Sequence, residues 1–200
     1  MTRRFILFFL LIAACFVAPR LPWVVAWDRA AMFSVASLRD ESGIRFFKLV
    51  TEVGSTPGFL IAWLLPGAIL LLRRRFVTAL YFVLGVGLLK LSGPLLKLAI
   101  ARPRPPDGLE HVSSLSMPSG HAANAVLIFG ILLCLLWRRF PGFFSRLLSG
   151  LLCLSAIAMI DFSRVYLGVH YPSDVLLGSL YTAAGLWLLQ GLRRDVFDMA

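Results

Sequence analysis

Three ionisable side chains fall within one short polar break between two apolar segments near the end of the chain. Arg164, His170 and Asp174 lie in the stretch 163–174, which reads SRVYLGVHYPSD. Ionisable side chains are costly beside membrane spans, so such a cluster predicts a functional site. His170 is a candidate nucleophile or base, and Arg164 offers a planar donor fork for a phosphate or a carboxylate.

Asp174 follows His170 by four residues and has two interpretations. It can hold the other imidazole nitrogen if the segment turns helical there. The alternative is a solvated loop in which Asp174 only caps the helix that follows.

Two further polar clusters precede this stretch, at the two ends of a proline-rich loop over residues 101–119. Lys97 and Arg104-Pro105 lie at its start, and Pro118-Ser119-Gly120-His121 lies at its end. Ser119 is placed to cap the next helix, and Gly120 allows another backbone or a ligand to approach closely.

The composition indicates what kind of element must position these clusters. Of the 200 residues, 59% are hydrophobic and 15% are charged, and the mean hydropathy is +0.84. A soluble fold of this length cannot bury so much apolar surface. The predicted fold class is therefore all-α, a polytopic membrane helix bundle that forms one domain over residues 1–200. The net charge of +10 does not predict nucleic-acid binding, because the chain has no basic tail or basic repeat.

Six apolar runs are predicted to cross the bilayer, some of them with help from flanking residues. They lie at 5–18, 59–72, 76–100, 122–137, 147–160 and 175–189. The first run continues weakly to Trp27 and is either an uncleaved span or a cleaved signal peptide. The preceding Arg3-Arg4 pair and the interfacial Trp23 and Trp27 favour the uncleaved span.

The segment 28–53 mixes apolar and charged residues and is too polar to span. We expect it to be an amphipathic helix that lies at the membrane interface. The sequence Gly54-Ser55-Thr56-Pro57-Gly58 is predicted to end it.

The third span contains two lysines, Lys90 and Lys97, which share one helix face because they are seven residues apart. Lys90 lies about 10 Å deeper at the rise of an α-helix. A lysine at such depth costs about 2.5–3.5 kcal/mol, so Lys90 is expected to have a partner or a water-lined cavity.

Basic side chains are distributed unevenly between the two sides of this layout. One side is rich in arginine, with Arg3, Arg4, Arg73, Arg74, Arg75, Arg138, Arg139, Arg146, Arg193 and Arg194, whereas acidic residues interleave with the basic ones on the other. The arginine-rich side and both termini are therefore predicted to be cytoplasmic. The three polar clusters then share the outer face of the inner membrane.

In this order and at these spacings, the three clusters resemble the signature of the type 2 phosphatidic acid phosphatase family, which is related to vanadium haloperoxidases. That signature is Lys, six residues, Arg-Pro; then Pro-Ser-Gly-His; then Ser-Arg, five residues, His, three residues, Asp. Every defining position is matched between residues 97 and 174. Each block alone is a weak signal, but all three together are specific.

The resemblance implies a role for each block. His170 is expected to attack phosphorus, Asp174 to orient and polarise it, and His121 to protonate the departing oxygen and then activate water. The residues expected to bind phosphate are Lys97, Arg104, Ser119, Gly120 and Arg164. The mechanism requires no metal and no cofactor, and the sequence has no carboxylate cluster to hold a metal.

The function implied is that of a lipid phosphatase, because a site at the membrane favours an amphiphilic substrate. Candidate substrates are undecaprenyl diphosphate, phosphatidylglycerophosphate and phosphatidic acid, and family breadth and the short chain favour the first. A phosphotransferase using the same phosphohistidine is an alternative, as is a transporter or lipid-binding protein without turnover. Ser163 is interpreted as a hydrogen-bonding residue at a helix end and not as a catalytic group. His111 is interpreted as a loop residue and not as a proton carrier, and Lys90 as structural and not catalytic.

Overall fold

The computed structural model describes residues 1–193 of the chain. Within that range, eight α-helices and one short 3-10 helix form, and no strand is present. The helices are α1 (Thr2–Val17), α2 (Pro22–Ala36), α3 (Glu41–Val53), α4 (Thr56–Leu72), α5 (Phe76–Ile100), α6 (Gly120–Arg139), α7 (Phe143–Tyr166) and α8 (Pro172–Leu192), with the 3-10 helix at Ala18–Arg20. Arg194, counted above among the arginines of one side, lies outside the described residues.

Six helical segments are long and apolar enough to cross a membrane. They are Thr2–Arg20, Glu41–Leu72, Phe76–Ile100, Gly120–Arg139, Phe143–Tyr166 and Pro172–Leu192. The predicted all-α class with six spans is thereby confirmed, and the chain is a multi-pass membrane protein. The last three spans recruit flanking residues to reach 20, 24 and 21 residues, which is about the length that a bilayer requires.

The first helix ends at Val17, within one residue of the end of the predicted run 5–18, and the weak continuation to Trp27 is not part of it. Pro19 and Pro22 interrupt the helical run, since proline lacks the N–H that an interior helical position needs. Pro22 begins α2 instead, at a position where its missing N–H costs nothing.

The prediction of a single amphipathic helix over 28–53 is also wrong. Two helices cover this segment, α2 and α3, with a break at residues 37–40. Asp40 starts the second helix because its carboxylate accepts the N–H of Gly43 at 2.6 Å. The expected break at 54–58 shrinks to two residues, since Pro57 is accommodated in the first turn of α4.

Helix α2 is not among the six spans, and large apolar side chains on it are exposed. Trp23 is 69% exposed and Phe33 is 80% exposed. Aromatic residues of this kind are typical of a helix that lies in the bilayer interface. One polar side chain of α2, Asp28, is instead almost completely buried at 1% exposure.

The apolar core lies between α1, α4, α5, α6 and α8, where Leu70, Phe82, Leu127, Ile131 and Tyr181 are buried. Many outward-facing leucines are exposed, among them Leu88, Leu98 and Leu152. Such an apolar surface suits a lipid environment and would be a liability in water.

The connections at one end of the bundle are joined by backbone hydrogen bonds. Leu109 N–H donates to the carbonyl of Leu167 at 2.9 Å, and Ser119 N–H donates to that of Asp174 at 3.1 Å. These bonds bring the 101–119 loop, the start of α6 and the α7–α8 connection together, so all three polar clusters meet at this end.

The opposite end carries arginine contacts. Arg193 donates to the hydroxyl of Thr78 at 2.9 Å, and Arg4 donates to the carbonyl of Trp187 at 2.6 Å. The starts of α1 and α5 and the end of α8 therefore lie together, at the end of the bundle away from the polar clusters.

Candidate active site

His170 lies in the tight connection between α7 and α8 and is 1% exposed. Gly168 has a φ of +72°, a conformation that glycine adopts without steric cost, and it allows the chain to turn back after α7. The N–H groups of Val169 and His170 both donate to the carbonyl of Arg164, at 3.1 and 3.3 Å. The imidazole is therefore held by a rigid turn.

The two ring nitrogens of His170 face groups of opposite charge. Nε2 of His170 lies 3.0 Å from Nη1 of Arg104. A guanidinium can only donate, so Nε2 must be the acceptor and the proton of the neutral ring must be on Nδ1. Nδ1 lies 3.6 Å from Oδ2 of Asp174 and 3.5 Å from Oγ of Ser116. The lone pair of Nε2 thus faces the cationic side of the site.

Burial lowers the pKa of His170 to about 4. The carboxylate of Asp174 opposes this shift, and the cations of Arg104 and Lys97 add to it. The imidazole is therefore neutral near pH 7, the state in which a histidine is nucleophilic.

Asp174 combines the two interpretations drawn from the sequence. It is fully buried, and its Oδ2 accepts the N–H of Tyr171 at 2.9 Å, which caps α8. The same oxygen accepts the hydroxyl of Ser116 and faces Nδ1 of His170. A carboxylate at this position both starts the helix and meets the imidazole.

Arg164 is 2% exposed and is held from two sides. Nη1 donates to Oγ1 of Thr51 at 2.6 Å, and Nη2 donates to Glu110 at 3.2 Å. Its Nε is buried without a hydrogen-bond partner. An unsatisfied buried donor is costly, and an entering phosphate oxygen is a group that can satisfy it.

Arg104 is fixed by the loop that carries it. Its Nη1 donates to the carbonyl of Val169 at 2.5 Å, and its Nε donates to that of Ser114 at 2.6 Å. A cavity of about 280 Å³ adjoins this side chain and is also lined by Gly108, Glu110, His111 and Val169. There is thus free space beside the guanidinium.

The start of α6 has the arrangement predicted for the second cluster. Ser119 is the N-cap, and its side chain accepts the N–H of Ala122 at 3.4 Å. Apart from its chain neighbours and the backbone of its own helix, no atom lies within 4 Å of the position that a Cβ would take at Gly120, so the first turn is open on this side. His121 is half-buried in the same turn, and the charges of Arg164 and Arg104 act on its imidazole.

Both lysines of α5 have partners. Lys97 donates to the carbonyl of Leu115 at 2.6 Å, so it braces the 101–119 loop. Lys90 donates to Oδ1 of Asn124 at 2.5 Å, and the amide of Asn124 donates to the carbonyl of Gly54 at 2.8 Å. The prediction that the deep lysine has a partner is confirmed.

Ser163 makes a hydrogen bond within its own helix, as the interpretation from the sequence predicts. It is fully buried, and its hydroxyl donates to the carbonyl of Ile160 at 2.6 Å. The group is therefore occupied in the last turn of its own helix.

Several residues that shape the site were not singled out from the sequence. These are Asp28, Thr51, Arg102, Glu110 and Ser116. Arg102-Pro103 repeats the Arg-Pro pattern of Arg104-Pro105 two residues earlier in the chain, and this repeat could have identified Arg102 as a candidate site residue. No pattern in the sequence relates residue 28 to residue 174. Within residues 1–193, no group of three or more His, Cys, Asp or Glu side chains is arranged to hold a metal ion.

Comparison with known proteins identifies relatives of this chain. The family model of the PAP2 superfamily matches residues 76–197, which include all three polar clusters. The chain is 31% identical to phosphatidylglycerophosphatase B of Bacillus subtilis (strain 168), over 95% of this chain and 93% of that protein. It is 40% identical to a putative undecaprenyl-diphosphatase of Escherichia coli (strain K12), over 36% of this chain and 32% of that protein.

A solved structure shares the arrangement of helices. The crystal structure of a transmembrane PAP2-type phosphatidylglycerolphosphate phosphatase from Bacillus subtilis superposes with a TM-score of 0.79 at 27% identity. The superposition covers 97% of this chain and 96% of that one.

Proposed function

The chain belongs to the PAP2 superfamily, and we propose that it is a membrane-embedded phosphatase that hydrolyses a lipid phosphate through a phosphohistidine on His170. One observation carries the proposal: His170 presents an acceptor nitrogen to a guanidinium at 3.0 Å and its other nitrogen to a carboxylate at 3.6 Å. A buried imidazole held in this way is prepared for nucleophilic attack next to a site for an anion.

The phosphate is bound by cations and neutral donors that come from three elements. Arg104 adjoins the nucleophilic nitrogen, and Arg164 retains a buried N–H without a partner. The open first turn of α6 adds backbone donors at Gly120, and Ser119 shapes that turn. Lys97 contributes its charge while it braces the loop. This charge neutralisation serves a dianionic substrate without a metal ion.

The reaction has two steps. Nε2 of His170 attacks phosphorus, the bond from phosphorus to the lipid oxygen breaks, and His121 gives its proton to that oxygen. Water then attacks the phosphohistidine while His121 takes a proton from it, which releases inorganic phosphate and restores His170. Asp174 stabilises the positive charge that develops on the imidazole and holds its tautomer.

The orientation of the site follows from the positive-inside rule. Arg73, Arg74 and Arg75 lie between α4 and α5, and Arg138 and Arg139 lie at the end of α6. Both connections are at the end of the bundle away from the site. We therefore place that end and both termini in the cytoplasm, and the site at the outer face of the cytoplasmic membrane.

The chain is similar over nearly its whole length to phosphatidylglycerophosphatase B and to the solved phosphatidylglycerolphosphate phosphatase structure of Bacillus subtilis, so phosphatidylglycerophosphate is the first substrate to test. The similarity to the putative undecaprenyl-diphosphatase over a shorter stretch supports undecaprenyl diphosphate, which family breadth and the short chain also favour and which stays a prediction. Both substrates join a phosphate or diphosphate to a large apolar body, as a site at the membrane surface requires.

The experiment is a turnover assay of the purified protein in detergent and in vesicles, with phosphatidylglycerophosphate, undecaprenyl diphosphate and phosphatidic acid. We expect release of inorganic phosphate that persists with excess EDTA and is lost in His170→Ala. Rapid quenching into alkali, in which phosphohistidine survives, should trap a labelled phosphoprotein in the wild type. A requirement for a divalent ion, or a normal rate in His170→Ala, would overturn the mechanism.

The matched control is His111→Ala, which removes an exposed histidine from the 101–119 loop. This variant should keep the wild-type rate. Transfer of the labelled phosphate to an added alcohol in preference to water would identify the protein as a phosphotransferase. Binding of lipid phosphates without turnover would identify it as a lipid-binding protein.

A further inference from the structure

Asp28 is a buried acid that lies far outside the three clusters in sequence. It comes from the interfacial helix α2 and is 1% exposed. Its Oδ1 accepts the N–H of Ser173 at 2.9 Å, and its Oδ2 accepts the hydroxyl of Ser173 at 2.6 Å. An isolated buried carboxylate costs several kcal/mol, so this satisfied arrangement ties α2 firmly to the start of α8.

Arg102 connects this acid to the carboxylate beside His170. Nη2 of Arg102 donates to Oδ2 of Asp28 at 2.7 Å, and Nη1 donates to Oδ1 of Asp174 at 2.5 Å and to the hydroxyl of Ser173 at 2.8 Å. One planar guanidinium therefore bridges two buried carboxylates. A lysine has no such fork and cannot reproduce both contacts.

Because of Arg102, the two carboxylate oxygens of Asp174 have different partners. Oδ1 is taken by Arg102, and Oδ2 is left for Ser116, Tyr171 and the imidazole. Arg102 thus fixes the plane of the carboxylate that faces His170, and its own hydrogen bonds go to Ser173, Asp174 and Asp28 rather than to the imidazole.

The charges in this group also matter for the reaction. With Asp28 and Asp174 ionised and Arg102 protonated, the three side chains sum to one negative charge beside His170. The imidazole becomes positive when it is phosphorylated, and a negative neighbour in a buried setting favours that state. Neutralising Asp28 removes this advantage, because the charges of Asp174 and Arg102 then cancel and no net negative charge remains beside His170.

We propose that Arg102 and Asp28 are positioning residues for the reaction, and that α2 is therefore part of the catalytic apparatus and more than a membrane anchor. The inference rests on the proposed function, because it assigns a task to residues that act on Asp174 and His170.

The test compares Arg102→Lys and Asp28→Asn with the wild type, in detergent, on the best lipid substrate. We expect kcat to fall about 10–100-fold with KM changed less than about threefold, since the phosphate contacts are intact and only the orientation and charge of Asp174 change. In an Asp174→Asn background, the same substitutions should add less than about a threefold loss, because residues that act as a unit are not additive.

The matched control is Arg39→Gln. Arg39 also ties the α2–α3 junction to α7, by donating to the carbonyl of Tyr166 at 2.7 Å, but it does not contact Asp174. This variant should keep kcat near the wild-type value. If Arg102→Lys does not fold, Ser173→Ala is the milder variant, since it removes only the hydroxyl shared by Arg102 and Asp28, and it should show the same fall in kcat at constant KM.

The outcomes separate the two proposals. Unchanged kcat in Asp28→Asn and in Arg102→Lys or Ser173→Ala, with loss in Asp174→Asn and His170→Ala, would overturn this inference alone. A rise in KM at constant kcat would also overturn it, because Arg102 would then be a phosphate ligand. Full activity in His170→Ala would overturn the proposed function itself.

Discussion

The backbone N–H of Ser119 donates to the backbone carbonyl of Asp174 across 3.1 Å. This bond joins the start of α6 to the first turn of α8, and so sets the distance between the turn that we propose binds phosphate and the carboxylate that faces His170. The close approach is possible because residue 178, which faces Ser119 from α8, is a glycine.

The first prediction concerns that glycine. A Cβ at residue 178 would lie 3.2 Å from the backbone nitrogen of Ser119 and 3.3 Å from its carbonyl oxygen, so Gly178→Ala must push α8 away from α6. A displacement of about 1 Å at reacting groups can lower the rate by about 10²-fold. We expect a clear loss of kcat. Gly150→Ala is the control, since its Cβ would meet only Trp137 at 3.9 Å, and an equal loss there would contradict the prediction.

The second prediction concerns Asp174→Asn. An asparagine amide can donate to Nδ1 of His170, which would place the imidazole proton on Nε2, where it would face the donor Nη1 of Arg104. The wrong tautomer lowers kcat by about 10⁴-fold in the aspartate-to-asparagine variant of a serine protease triad. We expect a loss of several powers of ten with KM nearly unchanged. Near-normal turnover would reduce Asp174 to a helix cap.

The third prediction separates the two histidines by their leaving groups. A general acid matters most when the departing oxygen is a poor leaving group. His121→Ala should therefore slow the first step with an alkyl monophosphate far more than with a nitrophenyl ester, whereas His170→Ala should abolish both. The measurement is the burst of phosphoenzyme formation, because slow dephosphorylation hides the contrast at steady state. Equal losses for both esters would mean that His121 only binds phosphate.

The fourth prediction concerns pH and stability. The pKa of His170 is lowered to about 4 by burial, whereas an exposed histidine titrates near about 6.5. Between these values, the unfolded chain binds a proton that the folded protein does not, so the free energy of unfolding falls as the pH is lowered. The thermal midpoint in detergent should drop more between about pH 7 and pH 5 in the wild type than in His170→Gln. Equal slopes would show that His170 has the same pKa in the folded protein as in the unfolded chain.

The fifth prediction concerns topology. In a background with Cys15, Cys134 and Cys153 replaced, a cysteine at Gly108 should react with a membrane-impermeant reagent in intact cells, and one at Gly142 should not. Gly108 lies in the site loop, and Gly142 lies between α6 and α7 at the other end. The reverse pattern of labelling would place the site in the cytoplasm.

The class of the protein and its candidate reactive groups can be predicted from the sequence alone. The six spans follow from local composition, because each apolar run must satisfy its own backbone as a helix in lipid. Residues 97–174 carry their signature at fixed spacings, and Ser119 caps α6 as its position predicts. These features depend on neighbouring residues, which the sequence shows directly.

The tertiary structure decided the contacts between distant segments. Asp28 reaches Asp174 only through Arg102, and Thr51 reaches Arg164 across the bundle. Sequence periodicity cannot predict such pairs, because a buried charge needs a partner that is close in space and that partner can lie anywhere in the chain. The break between α2 and α3 has a local signal in Asp40, which caps α3. The packing of α2 against α7 and α8, which places this interfacial helix at the site, has no such signal.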